Sequence, residues 1–293
     1  MDSFWLILIL SITIVFIGWF LWLMFDKKQR CVRLESTGLR QWKRGATKEA
    51  EQTFLKMIRI AEKANIEEAL SDALGNLANI YQTRGESHKA LEFYQRALRM
   101  VEQTGSLEAQ TKILGNIGLV YRTLGELNKA LEYLQHAMKI DEEIGRTEGL
   151  AIALGNIGLI HYERGKLQKA LELFQRSLKI AEQIGNLEVQ ANQLGNIGNV
   201  YRILGESQRA LEFHWRALRI DEKIGRLEGQ ANQIGSIGTI YCDLGKWDEA
   251  LFHYQLAREM FEKIGAKHLI TQTDRNIAEV KKAMEQDEQK GKE

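Results

Sequence analysis

The 293-residue sequence contains no proline. That excludes Pro-rich linkers and proline-fixed turns, and it leaves helices without a built-in break. Cysteine occurs only at Cys31 and Cys242, far apart. This excludes a disulfide framework or a zinc module and fits two thiols in reducing surroundings. Neither charge sign dominates, with 40 basic against 39 acidic residues. A nucleic-acid binder usually carries a net basic face, so no nucleic-acid partner is expected.

Catalytic motifs are missing too. The six histidines form no His-Glu-x-x-His and join no Cys-x-x-Cys, so no metal or cofactor site is readable. The recurring Gly-Asn-Ile-Gly lies inside a helical pattern and lacks the Gly-Lys-Ser/Thr ending of a phosphate loop. There is no Gly-x-Ser-x-Gly elbow. With no candidate site, a non-enzyme is expected. The acidic runs that start at Asp141 and Asp221 read as a solvated face rather than catalytic pairs. His161 and His214 stand at packing positions and read as core residues.

One long apolar run is present. Residues 4–25 carry no charge, and at ~1.5 Å per residue they would cover the ~30 Å hydrocarbon core of a bilayer. Trp5, Trp19 and Trp22 sit near its ends, as interfacial tryptophans do. The start is not basic and the exit is bulky, which suits a retained anchor better than a cleaved signal. Lys27, Lys28, Arg30 and Arg33 follow the run. By the positive-inside rule, the expected topology is a single-pass membrane protein with its N-terminus outside and the remainder cytoplasmic. Residues 26–34 are then a basic juxtamembrane linker.

From Glu67 the sequence repeats with a period of 40, which marks a helical-repeat array. Gly75, Gly115, Gly155, Gly195 and Gly235 keep register, as do Ala90, Ala130, Ala170, Ala210 and Ala250. Blocks 107–146 and 187–226 share 24 of 40 residues. Within 107–146, Leu114, Ile117, Gly118 and Tyr121 fall on one helical face, and Gly125 then closes a first helix. Ala130, Leu131, Leu134, Ala137 and Met138 mark a second helix, closed by Gly145. Small Gly118 and Ala130 would let the two helices pack closely. The pairs Glu92/Arg96, Glu172/Arg176 and Glu212/Arg216 are spaced to interact one turn apart.

Leu114, Ile117, Gly118, Tyr121, Gly125, Ala130, Leu134 and Ala137 resemble, in order, the tetratricopeptide repeat pattern. The match recurs in five blocks over 67–266. The usual period is 34 residues, and the family's proline after the second helix is absent. The 40-residue variant is similar to the repeats of Pins-type spindle-orientation adaptors and, less closely, of kinesin light chains. The resemblance implies an all-α, right-handed solenoid of helical hairpins. Residues 35–66 read as a degenerate first repeat, 267–286 as a capping helix and 287–293 as a charged tail.

The face of each first helix opposite its packing stripe is where a ligand would lie. In tetratricopeptide solenoids these faces line the concave surface. The resemblance therefore implies a groove carrying Asn76, Asn79, Asn116, Leu119, Arg122, Asn156, Leu159, Asn192, Asn196, Asn199, Arg202 and Asn232. An amide donates and accepts, so an Asn ladder suits the backbone of an extended peptide; the two arginines would hold acidic side chains. The asparagines have a second reading, as a relic of duplication or as bonds between neighbouring helices. The family's carboxylate clamp needs a lysine where Gly115 stands. The expected function is a membrane-anchored scaffold binding segments of proteins or peptides. The alternatives are a self-assembling organiser, hence a homo-oligomer, and a regulatory subunit of a membrane-bound enzyme complex.

Overall fold

The computed structural model describes the backbone of residues 2–290 and the side chains of Thr13, Ile17 and residues 23–287. Among these residues the chain is all helix, thirteen helices joined by tight turns, with no strand. It divides into two compact units, Met1–Ile140 and Asp141–Glu293.

The first unit holds α1 (Asp2–Lys43), α2 (Thr47–Ala64), α3 (Glu67–Thr83), α4 (Ser87–Thr104), α5 (Leu107–Thr123) and most of α6 (Leu127–Glu143). The second holds the end of α6 and then α7 (Thr147–Glu163), α8 (Leu167–Gln183), α9 (Leu187–Ile203), α10 (Ser207–Lys223), α11 (Leu227–Asp243), α12 (Trp247–Lys263) and α13 (Lys267–Lys290). Each unit is a stack of antiparallel helical hairpins, sequential helices being neighbours.

A repeated turn sets this geometry. Gly125 takes φ +76°, a left-handed backbone that glycine adopts without a Cβ penalty. Its N–H donates to Arg122 O, and the Glu126 N–H donates back to Tyr121 O at 2.9 Å, closing the end of α5. The same turn returns every twenty residues from Gly85 to Gly265, and Asn65 supplies it at φ 52° where the glycine is missing. Hairpins then close tightly because a second glycine position removes a side chain. A Cβ on Gly118 would lie 2.7 Å from Leu134 and 3.2 Å from the Ala130 carbonyl. Gly158, Gly198 and Gly238 play the same part against Phe174, His214 and Tyr254. Buried Leu114, Ile117 and Leu134 in the first unit, and Ile157, Phe174 and Ile197 in the second, fill the interior.

Among the described residues no helix is long and apolar enough to cross a membrane. This overturns the expected single-pass topology, its outside N-terminus and its cytoplasmic repeats, and with them the membrane as a partner through residues 4–25. That apolar run falls largely outside the residues whose side chains are described. The described part of α1 is rich in charge and packs on α2: Cys31 is buried, and Gly38 sits against the Phe54 ring. Residues 26–34 lie within this helix.

Two further expectations are corrected. Glu142, Glu143 and Glu222 are exposed as expected, but Asp141 and Asp221, which start the runs, are buried, each paired with an arginine five residues on, Arg146 at 2.9 Å and Arg226 at 2.7 Å. A buried carboxylate persists only with such a partner. Room for each comes from a glycine in the next helix, Gly149 and Gly229, where a Cβ would overlap the carboxylate. The one-turn pairs are less exclusive than expected: Arg176 acts on Glu172 as predicted, but other partners take part. Arg96 reaches Glu62 of α2 at 3.2 Å, Arg216 lies over the Phe213 ring, and Glu172 takes Lys169.

Candidate peptide-binding cleft

Within the second unit α7, α9 and α11 start 40 residues apart, so equal register positions recur on three helices. A cleft of about 330 Å³ opens on them. Its walls carry Ile152, Asn156 and Leu159 of α7, Asn192, Asn196 and Asn199 of α9, and Asn232 and Ser236 of α11. Gly155, Val189, Gly195, Gln193, Gln233 and His214 complete the lining. Thus six predicted site residues, Asn156, Leu159, Asn192, Asn196, Asn199 and Asn232, meet in one place.

These amides are not equivalent. Asn192 Oδ1 accepts from Arg226 at 2.8 Å, and Asn196 Nδ2 donates to Gln193 Oε1 at 3.2 Å. The side chains of Asn156, Asn199 and Asn232 make no hydrogen bond among the described residues. Arg202 stands apart from the cleft lining and pairs with Asp243 of α11 at 2.9 Å.

The remaining five predicted residues belong to the first unit. Asn76 and Asn79 lie on α3; Asn116, Leu119 and Arg122 lie on α5; all are half-buried. The side chains of Asn76 and Asn116 make no hydrogen bond among the described residues. Asn79 is already engaged: the Tyr94 hydroxyl lies against its Oδ1 and within 3.0 Å of Gln82 Oε1.

Sequence reasoning missed the floor of the cleft. Gln193 and Gln233 are buried where the corresponding residues of earlier blocks are Ala73, Ile113 and Ala153. Each lies against a glycine of the preceding first helix: a Cβ on Gly155 would come within 2.5 Å of Gln193 Nε2, and one on Gly195 within 2.9 Å of Gln233 Oε1. The switch from apolar to amide at one register position is the signal that would have found them. His214 is fully buried and its Nδ1 lies 2.8 Å from Gln233 Oε1. Burial lowers its pKa; the Gln233 bond opposes the shift and Arg202 adds to it. A ring held neutral with Nδ1 protonated donates to Gln233, which leaves Nε2 without a partner. The result is a cleft whose lining side chains carry no formal charge and offer donors and acceptors on three successive helices.

Residues 38–103, 69–143, 108–183 and 149–223 match the Tetratricopeptide repeat family, and the chain belongs to it. No curated protein matches the sequence. Among solved structures, the chain is similar to NprR in complex with its cognate peptide NprX, at 15% identity and TM-score 0.69, covering 90% of this chain and 77% of that one. It is similar to BtubC from P. vanneervenii, at 21% identity and TM-score 0.59, over 80% of this chain and 92% of that one. Kinesin-light-chain-like repeats from P. anserina match at 19% identity and TM-score 0.51, over 66% and 95%. At these identities the likeness shows the fold alone. The spindle-orientation resemblance gains no support from these matches. Tetratricopeptide proteins are in general protein-interaction scaffolds, and the fold is typically an interaction module.

Proposed function

We propose that this protein is a scaffold that holds an extended peptide segment of a partner in the Asn-lined cleft on α7, α9 and α11. The observation that carries this reading is the set of unengaged amides, Asn156, Asn199 and Asn232, set around one cleft with apolar Ile152 and Leu159 beside them. A peptide backbone offers alternating N–H and C=O groups, which side-chain amides satisfy whatever the sequence. Apolar walls then take one or two side chains. Asn192 and Asn196 support the walls through Arg226 and Gln193. In the first unit, Asn76, Asn116, Leu119 and Arg122 form the corresponding surface of α3 and α5, with Asn79 tied to Tyr94. The peptide held by NprR, a protein of the same general fold, is consistent with this use.

Selection of displayed random 12-residue peptides on the full chain tests the reading. Enriched peptides should lose at least tenfold in affinity when Asn156, Asn196 and Asn199 are replaced by alanine, with the circular dichroism unchanged. Affinity within twofold of wild type would sink the cleft assignment.

A further inference from the structure

The repeats supply an internal standard for each position, and three positions on the outer surface of the second unit break it. Position 215 is Trp, where the corresponding residues are Gln95, Gln135, Gln175 and Gln255. Position 252 is Phe, where the others are Glu92, Glu132, Glu172 and Glu212. Position 256 is Leu, where Arg96, His136, Arg176 and Arg216 stand elsewhere. All three apolar side chains face solvent: Phe252 is 61% exposed, Trp215 38% and Leu256 36%. Each change trades a favourably hydrated side chain for exposed apolar surface, which folding does not need.

Two of the three, Trp215 and Phe252, pack in one aromatic cluster, and Leu256 lies one turn from Phe252 on α12. The His253 ring lies 6.0 Å from that of Trp215, 5.1 Å from Tyr241 and 5.3 Å from Phe252. These contacts link α10, α11 and α12. Beside them runs a groove of about 630 Å³, lined by Trp215, Tyr241 and Leu244 and by the cations Arg216, Arg219 and Lys246, with Glu212 the acidic residue of the lining. Arg219 forms no ion pair among the described residues. Arg216 and Lys246 lie over aromatic rings at 5.3 and 6.0 Å. The groove therefore joins an apolar wall to a net positive one.

We infer that this outer groove is a second docking site, separate from the Asn-lined cleft, and that its occupant is an acidic segment of a partner protein presenting apolar side chains. Acidic side chains meet Arg216, Arg219 and Lys246 while apolar ones cover Trp215 in the groove and Phe252 and Leu256 on α12 outside its lining. Tryptophan and arginine are the residues on which binding energy concentrates. A membrane is the poorer occupant: three cations with an acid among them give little pull, and a groove receives side chains rather than a plane. The inference does not depend on the peptide cleft.

The probe is a fluorescein-labelled 16-residue peptide of alternating Glu-Glu and Leu-Phe pairs, titrated by anisotropy against the full chain. The test variant restores the residues of the sister repeats: Trp215→Gln, Phe252→Glu and Leu256→Arg together. Its melting should match wild type, because those residues already occupy the same positions in stable repeats. Wild type should bind the peptide at least tenfold more tightly than the variant and more tightly than a Lys-for-Glu version of the peptide, with affinity falling as salt rises. A parallel Arg219→Glu variant should bind several-fold more weakly. Equal binding by wild type and the restored variant would overturn the inference, as would preference for the Lys version. Binding to 30% phosphatidylserine vesicles lost in the restored variant, without peptide binding, would assign the surface to membranes. Self-association lost in that variant would assign it to a second copy. Either result would overturn the partner named here.

Discussion

The repeats of both units use the same hairpin and differ in what stands at one position of the second helix, which reads Tyr94, Leu134, Phe174, His214 and Tyr254 along the chain. In the first unit that position is Tyr94 in one repeat, and its hydroxyl reaches back to Asn79 of the paired helix. In one repeat of the second unit it is His214, a shorter side chain that turns to Gln233 of the following repeat. Tyr254 repeats the first arrangement, with its hydroxyl 3.0 Å from Thr239. So Asn79 and Asn199 share a register position and do different work. The first is engaged within its own hairpin, and the second is left facing the cleft. A repeat protein can open a polar site by one substitution that removes an internal partner. The added amides Gln193 and Gln233, accommodated by Gly155 and Gly195, complete it.

The largest effect that sharpens this comparison concerns the buried pairs. Arg226→Ala leaves the Asp221 carboxylate buried and uncompensated, and should lower stability by about 3 kcal/mol in a denaturant melt. In the first unit the matching positions are Ala61 and Ile66, or Val101 and Ser106, with no charge to lose. By contrast Arg209→Ala, which breaks an exposed pair with Glu206, should change stability by less than about 0.5 kcal/mol. Equal losses would show that the buried pair is not special.

Breaking the comparison itself comes next. His214→Tyr places in the α9–α10 hairpin the side chain that engages Asn79 in the α3–α4 hairpin. The new hydroxyl should capture Asn199, and affinity for a selected peptide should fall about tenfold, or ~1.4 kcal/mol. Titration calorimetry checks this, with circular dichroism confirming the fold.

A smaller effect follows from pH. His214 has its pKa lowered by burial, so the unfolded chain takes up its proton first as pH falls below the ordinary value of 6.5. The contribution of the neutral ring is fully present above that value and is lost as pH falls toward the folded pKa. Melts from pH 7.5 to 5 should show less loss for His214→Tyr than for wild type. The smallest expected change contrasts two glycines. Gly115 has open space where its Cβ would be, so Gly115→Ala should raise stability by about 0.5–1 kcal/mol. Gly155→Ala should bring no such gain, because the Gln193 amide occupies that space.

Much of the fold was legible because glycine and alanine register is dictated by backbone geometry, which side-chain context cannot override. Gly125 must turn and Gly118 must let Leu134 in, so their spacing reveals the hairpin. The alternation of exposed and packed faces followed from helical periodicity, which put Asn156, Asn199 and Asn232 on the face opposite the packing stripe. What a polar side chain bonds to was not legible, since that depends on neighbours on other turns and other helices, 5 residues away for Asp141 and 15 for Asn79. Asn79 looked like Asn199 until Tyr94 was set beside it. Asp141 and Asp221 looked solvated because acidic residues usually are. Their burial rests on Arg146 and Arg226 and on the space left by Gly149 and Gly229, a coincidence at three positions that one helix pattern does not show. The apolar run 4–25 suggested a membrane helix by its length, its lack of charge and its terminal tryptophans, and the described structure supplies no span.

The central claim is that Asn156, Asn199 and Asn232 contact the peptide while Asn79 does not. The direct measurement is the side-chain amide region of a ¹⁵N NMR spectrum, assigned by single Asn→Asp variants, with a selected peptide added to the full chain. The account predicts shifts for the amides of Asn156, Asn199 and Asn232 and an unmoved Asn79. Shifts at Asn79 with those three unchanged would contradict it.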